Sequence, residues 1–474
     1  MPIPDTAMLG NWIVSWIQPD GAIHGFHNHS VWGGNPYRWS DFTAGHSTWA
    51  SPFLAGLSNA LRKYPHPEGA ALLSRLVQFQ ATRFQPDGQY AHIGFQVGEL
   101  LNFGLIHNAI ANLSLGLVAL NGREYLPEAD IELIRRAVLE NMEACRRYGG
   151  GRAAHSGTAN QDYARLWAKL VFQEAFADRR WYDEIPQDLN FMIEHFHVGG
   201  FPDSRCEATY RGLTDLSAVE PAEYYGLMIC PLVMAYEVYG DPTYLDHAGR
   251  ICRHVAQSAW VDKRGQTRFH RTWYQRGGQW VKNQQPMLIA GMGDTLEGIH
   301  RYLQHVADPE LENFLNRCDA TYAYYQNPRG YFASATGWQS EVDIAPATAW
   351  HAHDFRYLTH RHPVDAAFWE RFFAPYTRMS VLLGDQCLWF EYGPYWQIRD
   401  YFWQDVFELL GRKDEVMFGR DMAWIGGDRA LPAHYHCPDV PVFLMADDGI
   451  YLKSGDEAQI DLNSVGTLPY LGKL

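Results

Sequence analysis

The stretch EYYGLMICPLVMAYEVYGDPTYLDHAGRICRHVAQSAW, from Glu223 to Trp260, decides the fold. Glu223 to Tyr239 is almost wholly apolar, as a helix buried on both sides would be. Gly240-Asp241-Pro242 then interrupts it, because Gly and Pro stop one helix and start the next. Tyr244 to Trp260 is mixed, as a helix with one wet face would be. The stretch therefore reads as a hairpin of one buried and one half-exposed helix.

The same grammar recurs on either side. Short charged turns fall at residues 65–69, 121–124, 178–180, 308–310, 361–363 and 411–413. A second set alternates with them: Pro19-Asp20-Gly21, Pro86-Asp87-Gly88, Gly149-Gly150-Gly151, Pro202-Asp203, Lys263-Arg264-Gly265, Pro328-Arg329-Gly330 and Gly384-Asp385. Members of that set lie about 50 to 67 residues apart, a period that signals a repeat architecture. Between turns, Ala109 to Leu120 reads as one apolar helix. Asp130 to Tyr148 carries Ile131, Ile134, Val138, Met142 and Cys145 at helical steps. Stacked hairpins bury a continuous core. The reading is an all-α (α/α)6 or (α/α)7 toroid over residues 1–425. Residues 426–474 are expected to form a C-terminal extension packed on it, with a short β-hairpin near Asp447 to Lys453.

Composition narrows the function. Of 474 residues, 47% are hydrophobic and 14% aromatic, with 17 Trp and 27 Tyr, more than a core needs. A net charge of −15 speaks against nucleic acid and against an anionic membrane surface. Seven scattered Cys without a CxxC pair argue against a disulfide framework and a structural zinc site. No Lys or Arg precedes Arg38 and no apolar run approaches the length of a membrane span, so a cytoplasmic protein is the expectation. Nothing in the sequence opposes a homo-oligomer.

The second turn set opens into long polar segments, and the helices are expected to hold these on one face. They gather His29, Trp39, Asp41 and His46; His107 and Asn108; Asn160; Glu207, Arg211 and Glu223; His270, Arg271 and Tyr274; His351 and Asp354; and Glu391 and Tyr395. Trp and Tyr stack on the apolar faces of sugar rings, while Asn, Asp and Arg satisfy hydroxyls. The bland alternative is that part of this set caps helices and packs.

Two chemistries follow. Hydrolysis of a glycosidic bond needs two carboxyl groups, and Asp41, Glu207, Glu223 and Asp354 are the candidates. Glu223 begins an apolar helix where burial would raise its pKa, or else it simply favours the helix N-terminus. β-Elimination needs a cation for a uronate carboxylate and a Tyr or His base, which His270, Arg271 and Tyr274 offer together. His29, Trp39, His46, His107, Asn108, Asn160, Arg211, Arg271, His351, Glu391 and Tyr395 would bind substrate. H-x-H pairs at His27/His29 and His351/His353 are weak metal signals, and no metal or other cofactor is expected.

With its aromatic, histidine-rich loops on paired helices, residues 10–425 resemble the (α/α) toroid carbohydrate-active enzymes. These include unsaturated glucuronyl hydrolases, helical-toroid glucuronidases and uronate polysaccharide lyases. His27-Asn28-His29-Ser30-Val31-Trp32 is loosely similar to the Asn-His-aromatic motif of alginate-type lyases. The surroundings of His107 are faintly similar to linalool dehydratase–isomerase. The resemblance implies an oligosaccharide or polysaccharide substrate. The expected activity is exo-acting, glucuronidase-like hydrolysis of a uronate oligosaccharide. A uronate lyase stands second, and a terpenoid isomerase or a non-catalytic glycan binder third.

Overall fold

The computed structural model describes residues 2–23, 47–91, 105–146, 159–195, 222–261, 265–270, 273–276, 279–282, 286–287, 291–326, 330, 332, 336–338, 341–343, 348–375, 380–383, 388–391, 416–418, 423–425, 442–446, 449–454 and 456–460. Among these lie thirteen α-helices.

Six of them form an inner ring: α2 (Pro52–Lys63), α4 (Leu105–Asn121), α6 (Ala159–Phe176), α8 (Tyr225–Tyr239), α10 (Gly293–Leu303) and α12 (Thr348–Arg361). Each packs on the next, and α12 packs back on α2. That contact closes the circle at six and leaves no gap between α12 and α2 for a seventh inner helix. Outside them stand α1 (Thr6–Val14), α3 (Pro67–Gln80), α5 (Glu128–Arg146), α7 (Glu184–His195), α9 (Pro242–Ser258) and α11 (Pro309–Tyr325). Five of these follow their inner partner in sequence, whereas α1 comes from the N-terminus to cover α12. A short helix, α13 (Ala366–Phe372), lies beside α1.

The two kinds of turn fold differently because their residues differ. Turns from inner to outer helices are capping devices. Gly240 takes left-handed backbone (φ 73°) and its N–H bonds Tyr236 O. Asp241 then accepts from Thr243 N at 2.9 Å, with Pro242 in the first turn of α9. Asp308 and Pro309 repeat this at α11. Three of the turns from outer to inner helices are tight loops closed by antiparallel bridges, Ile17 to Ile23, Phe84 to Tyr90 and Gln326 to Phe332. Gly21, Gly88 and Gly330 supply the positive φ there, and Gly265 does so between the paired strands Trp260–Val261 and Thr267–His270. In two of them the Asp caps its own loop: Asp20 accepts from Ala22 N and Asp87 from Gln89 N, each at 3.0 Å.

Burial follows the expected division. Tyr225 to Ala235 of α8 is buried without interruption, while α9 buries one face. One apolar core runs through the helices from Leu9 to Phe372. Beyond α13 every described element is a strand, including the hairpin Ser380–Leu383/Leu388–Glu391 and an antiparallel meander of Val442–Ala446, Gly449–Ser454 and Asp456–Ile460. No described helix is long and apolar enough to cross a membrane.

Candidate functional site

Bridged turns precede α2, α4 and α12, and because inner and outer helices alternate along the chain, the N-terminal ends of all six inner helices lie on one rim. There the first turns of distant segments meet. Trp49 precedes α2, and His107 and Asn108 open α4. Asn160 and Asp162 open α6, and Glu223 and Tyr224 lie in the 3-10 turn before α8. Asp294 opens α10, and Trp350, His351, His353 and Asp354 occupy the first two turns of α12.

An aromatic wall joins four of these helix ends. Trp49 stacks on His107 at 5.3 Å and meets Trp350 edge-on at 5.2 Å. Trp350 lies 6.3 Å from Tyr224 and 6.2 Å from His353. Trp49 and Trp350 form a cluster separate from the main core. His107 and Glu223 are buried at this rim.

His353 is the chemically distinctive member. It is 3% exposed, with Nδ1 2.7 Å from Asp294 Oδ1. Its buried Nε2 has no hydrogen-bond partner among the described residues. The same Asp294 oxygen accepts from Arg356 Nη2 at 2.8 Å, and Arg356 Nε donates to Glu297 at 2.6 Å. Glu297 also holds Arg301 through two bonds of 2.8 and 2.9 Å. Burial alone would raise the Glu297 pKa, but Arg356, Arg301 and His360 hold it well below the usual carboxylate range. Burial likewise opposes the Arg356 charge, and Glu297 and Asp294 more than reverse that. Both guanidinium groups lie over the Trp167 ring, at 5.1 Å for Arg356 and 5.7 Å for Arg301. The network thus links α10 to α12 and braces both against α6.

Close backbone packing makes the His353–Asp294 contact reachable. A Cβ on Gly293 would stand 2.4 Å from the His353 carbonyl, and one on Gly226 would stand 1.7 Å from Asp294 O. Only residues without a side chain let α8, α10 and α12 approach this far.

Several predicted residues hold structure together. Asp354 accepts from Gly291 N at 2.9 Å, Gly293 N at 3.0 Å and Tyr322 OH at 2.5 Å. Burial lifts its pKa to about 7 against the pull of those three donors. His351 turns away from His353. Its Nε2 lies 2.8 Å from Phe332 N and its ring packs on Trp12 at 4.8 Å, so the H-x-H pair does not converge. Asn108 accepts from Tyr90 N and Asn141 Nδ2, both at 2.8 Å, and ties α4 to α5 and to the Gly88 turn. Asn160 is buried at the start of α6.

His270, Tyr274 and Glu391 lie in strands, Thr267–His270, Trp273–Arg276 and Leu388–Glu391. The fifth segment, read as a loop, is instead a hairpin that pairs Tyr274 with Val281 and Gln275 with Trp280. The two-residue Gly277-Gly278 link between two short runs rich in aromatic residues is the sequence signal for such a hairpin. Asp41, Glu207, His29, Trp39, His46, Arg211, Arg271 and Tyr395 lie outside the described residues. Sequence reading passed over Asp294, Glu297, Trp350 and Arg356. The available hint was Gly291-Met292-Gly293-Asp294 at a helix start, which reads as a cap when its partner is unseen.

No family model matches this chain, and no curated protein matches it in sequence. Solved structures do match in fold. A sugar epimerase from a ruminal bacterium has a TM-score of 0.52 at 11% identity, over 75% of this chain and 96% of that one. A D-mannose isomerase also has a TM-score of 0.52, at 14% identity, over 75% and 95%. The cellobiose 2-epimerase of Bacillus thermoamylovorans has a TM-score of 0.50 at 12% identity, over 74% and 95%. At such identities the likeness shows the fold, an (α/α) toroid.

Proposed function

We propose that this chain is a carbohydrate-active enzyme that moves a proton on a sugar carbon next to a carbonyl group, as an isomerase or epimerase does. The observation that carries this is the buried His353–Asp294 pair, with Nδ1 held at 2.7 Å and Nε2 left without a described partner. When Nδ1–H donates to a carboxylate, Nε2 is the basic nitrogen. In this reading Nε2 takes the proton α to the carbonyl. Asp294 stabilises the imidazolium that forms, and Arg356 keeps Asp294 in place. Trp49, Trp350 and Tyr224 supply an apolar wall for the ring, and Asn160 a polar contact. Epimerases and isomerases among the structural neighbours support the substrate class.

Hydrolysis is the second reading, favoured by Glu223 buried at the start of the most apolar inner helix. Glu223 would then pair with Asp41 or Glu207, since the oxygens of Asp354 are engaged by backbone and Tyr322. Arg211 and Arg271, the expected uronate clamp, lie outside the described residues, so the proposal specifies no uronate.

Incubation with reducing mono- and disaccharides in D2O, read by proton NMR, separates the three chemistries. Proton transfer exchanges the C2 hydrogen for deuterium and yields a new aldose or ketose. Elimination yields a product absorbing in the near ultraviolet, and hydrolysis yields new reducing ends without exchange at C2. His353→Gln should remove exchange by at least about 10²-fold. Full exchange in that variant, or none in the native protein with any sugar, sinks the reading.

A further inference from the structure

Away from the aromatic wall, a cavity of about 400 Å³ opens between the outer helices α5 and α7, floored by the inner helix α6. That is within the roughly 300–1,000 Å³ range of small-molecule sites. Its lining includes Arg146 of α5, Arg165 and Lys169 of α6, and Arg180 and Trp181 before α7. Four cations thus face it against two carboxylates, Glu143 and Glu184, in a chain whose net charge is −15.

Each cation has a carboxylate partner, some in the lining and some behind it, with Arg146 3.8 Å from the lining Glu143. Arg165 donates to Asp162 at 3.0 Å, Lys169 pairs with Glu184 and lies 3.7 Å from Asp188, and Arg180 donates to Asp178 at 2.7 Å. Asp162, Asp178 and Asp188 are not part of the lining, so they fix the cations without filling the cavity. Lys169 is the most buried of the four: its side chain is only 7% exposed, and Glu184 and Asp188 compensate its charge. Trp181 adds an apolar face, with Lys169 at 5.9 Å and Arg180 at 5.6 Å from its ring.

We propose that this cavity is a second binding site, distinct from the His353 rim, for a small compound carrying a phosphate group. Its doubly charged oxygens would be taken by Lys169, Arg180 and Arg146, with the remainder of the ligand against Trp181. Guanidinium and ammonium groups arranged in this way suit phosphate oxygens. Arg165 bonds Asp162, two residues from Asn160, so the ligand would sit next to a side chain anchored in the first turn of α6.

Isothermal titration of the full chain at low salt tests this with inorganic phosphate, a hexose 6-phosphate and the parent hexose. Saturable binding of both phosphates, no binding of the neutral hexose and weakening by added salt are expected. Tighter binding of the hexose phosphate identifies a sugar phosphate as occupant, and equal binding identifies free phosphate. Lys169→Met should weaken binding by about tenfold or more. Arg180→Gln, at a half-exposed position where folding is not at stake, should do the same. Binding that is not saturable below about 10 mM, or unchanged in Arg180→Gln, overturns the proposal.

Discussion

His353 and Asp354 are neighbours in sequence with opposite environments. The oxygens of Asp354 are bonded to two backbone amides and a tyrosine, while His353 has one nitrogen bonded and the other buried without a described partner. Nothing in His351-Ala352-His353-Asp354 distinguishes them. Helical spacing puts residues 350, 353 and 354 on one face and 351 on another, which is legible, but the partners come from α10 and α11. If His353 is the base, Asp294→Asn should lower kcat by about 10²-fold or more with little change in KM. A loss confined to KM or to folding, with kcat unchanged, would make Asp294 a structural residue only.

The bridged turn is the repeating element, and its glycines are not equivalent. Gly330 has φ +104°, and a Cβ there would stand 2.2 Å from Met8 O of α1, the contact that seats the N-terminal helix in the ring. Gly265 has φ +78° with nothing within 4 Å. Gly265→Ala should therefore cost about 1 kcal/mol, the backbone penalty alone. Gly330→Ala should cost about 3 kcal/mol, because displaced packing is added. Denaturant midpoints of the two variants check the difference. These turns were readable because Pro-Asp-Gly has few other uses. The hairpin at Trp273–Lys282 was not legible from periodicity, because its two four-residue runs do not alternate apolar and polar side chains.

For the whole molecule, acid should be more damaging than alkali near neutrality. His254 packs against Tyr225, its ring 3.2 Å from the hydroxyl, and His300 lies beside His360; burial lowers both pKa values to about 4. Unfolded, each would titrate near 6.5. Both are neutral in either state above about pH 6.5, so their full contribution to stability is present there. As pH falls from 6.5 to 4 the unfolded chain takes up protons that the fold refuses, and stability drops. Each group can account for up to about 3 kcal/mol of that drop. His254→Gln, which cannot gain a charge, should flatten the loss, as read from unfolding midpoints between pH 7 and 4. An equally steep loss would place the acid sensitivity elsewhere.

The sequence alone determined the repeat and the division into buried and half-exposed helices. Those follow from local rules: hydrophobic period, Asp and Pro at helix starts, Gly where φ is positive. The tertiary structure decided that the ring closes at six, that α1 completes it, and which polar residue on the rim meets which. Ring closure depends on whether α12 fits against α2, and the pairing of His353 with Asp294 depends on glycines that let three backbones touch. Both are contacts between segments far apart in the chain, and no local pattern encodes a distance.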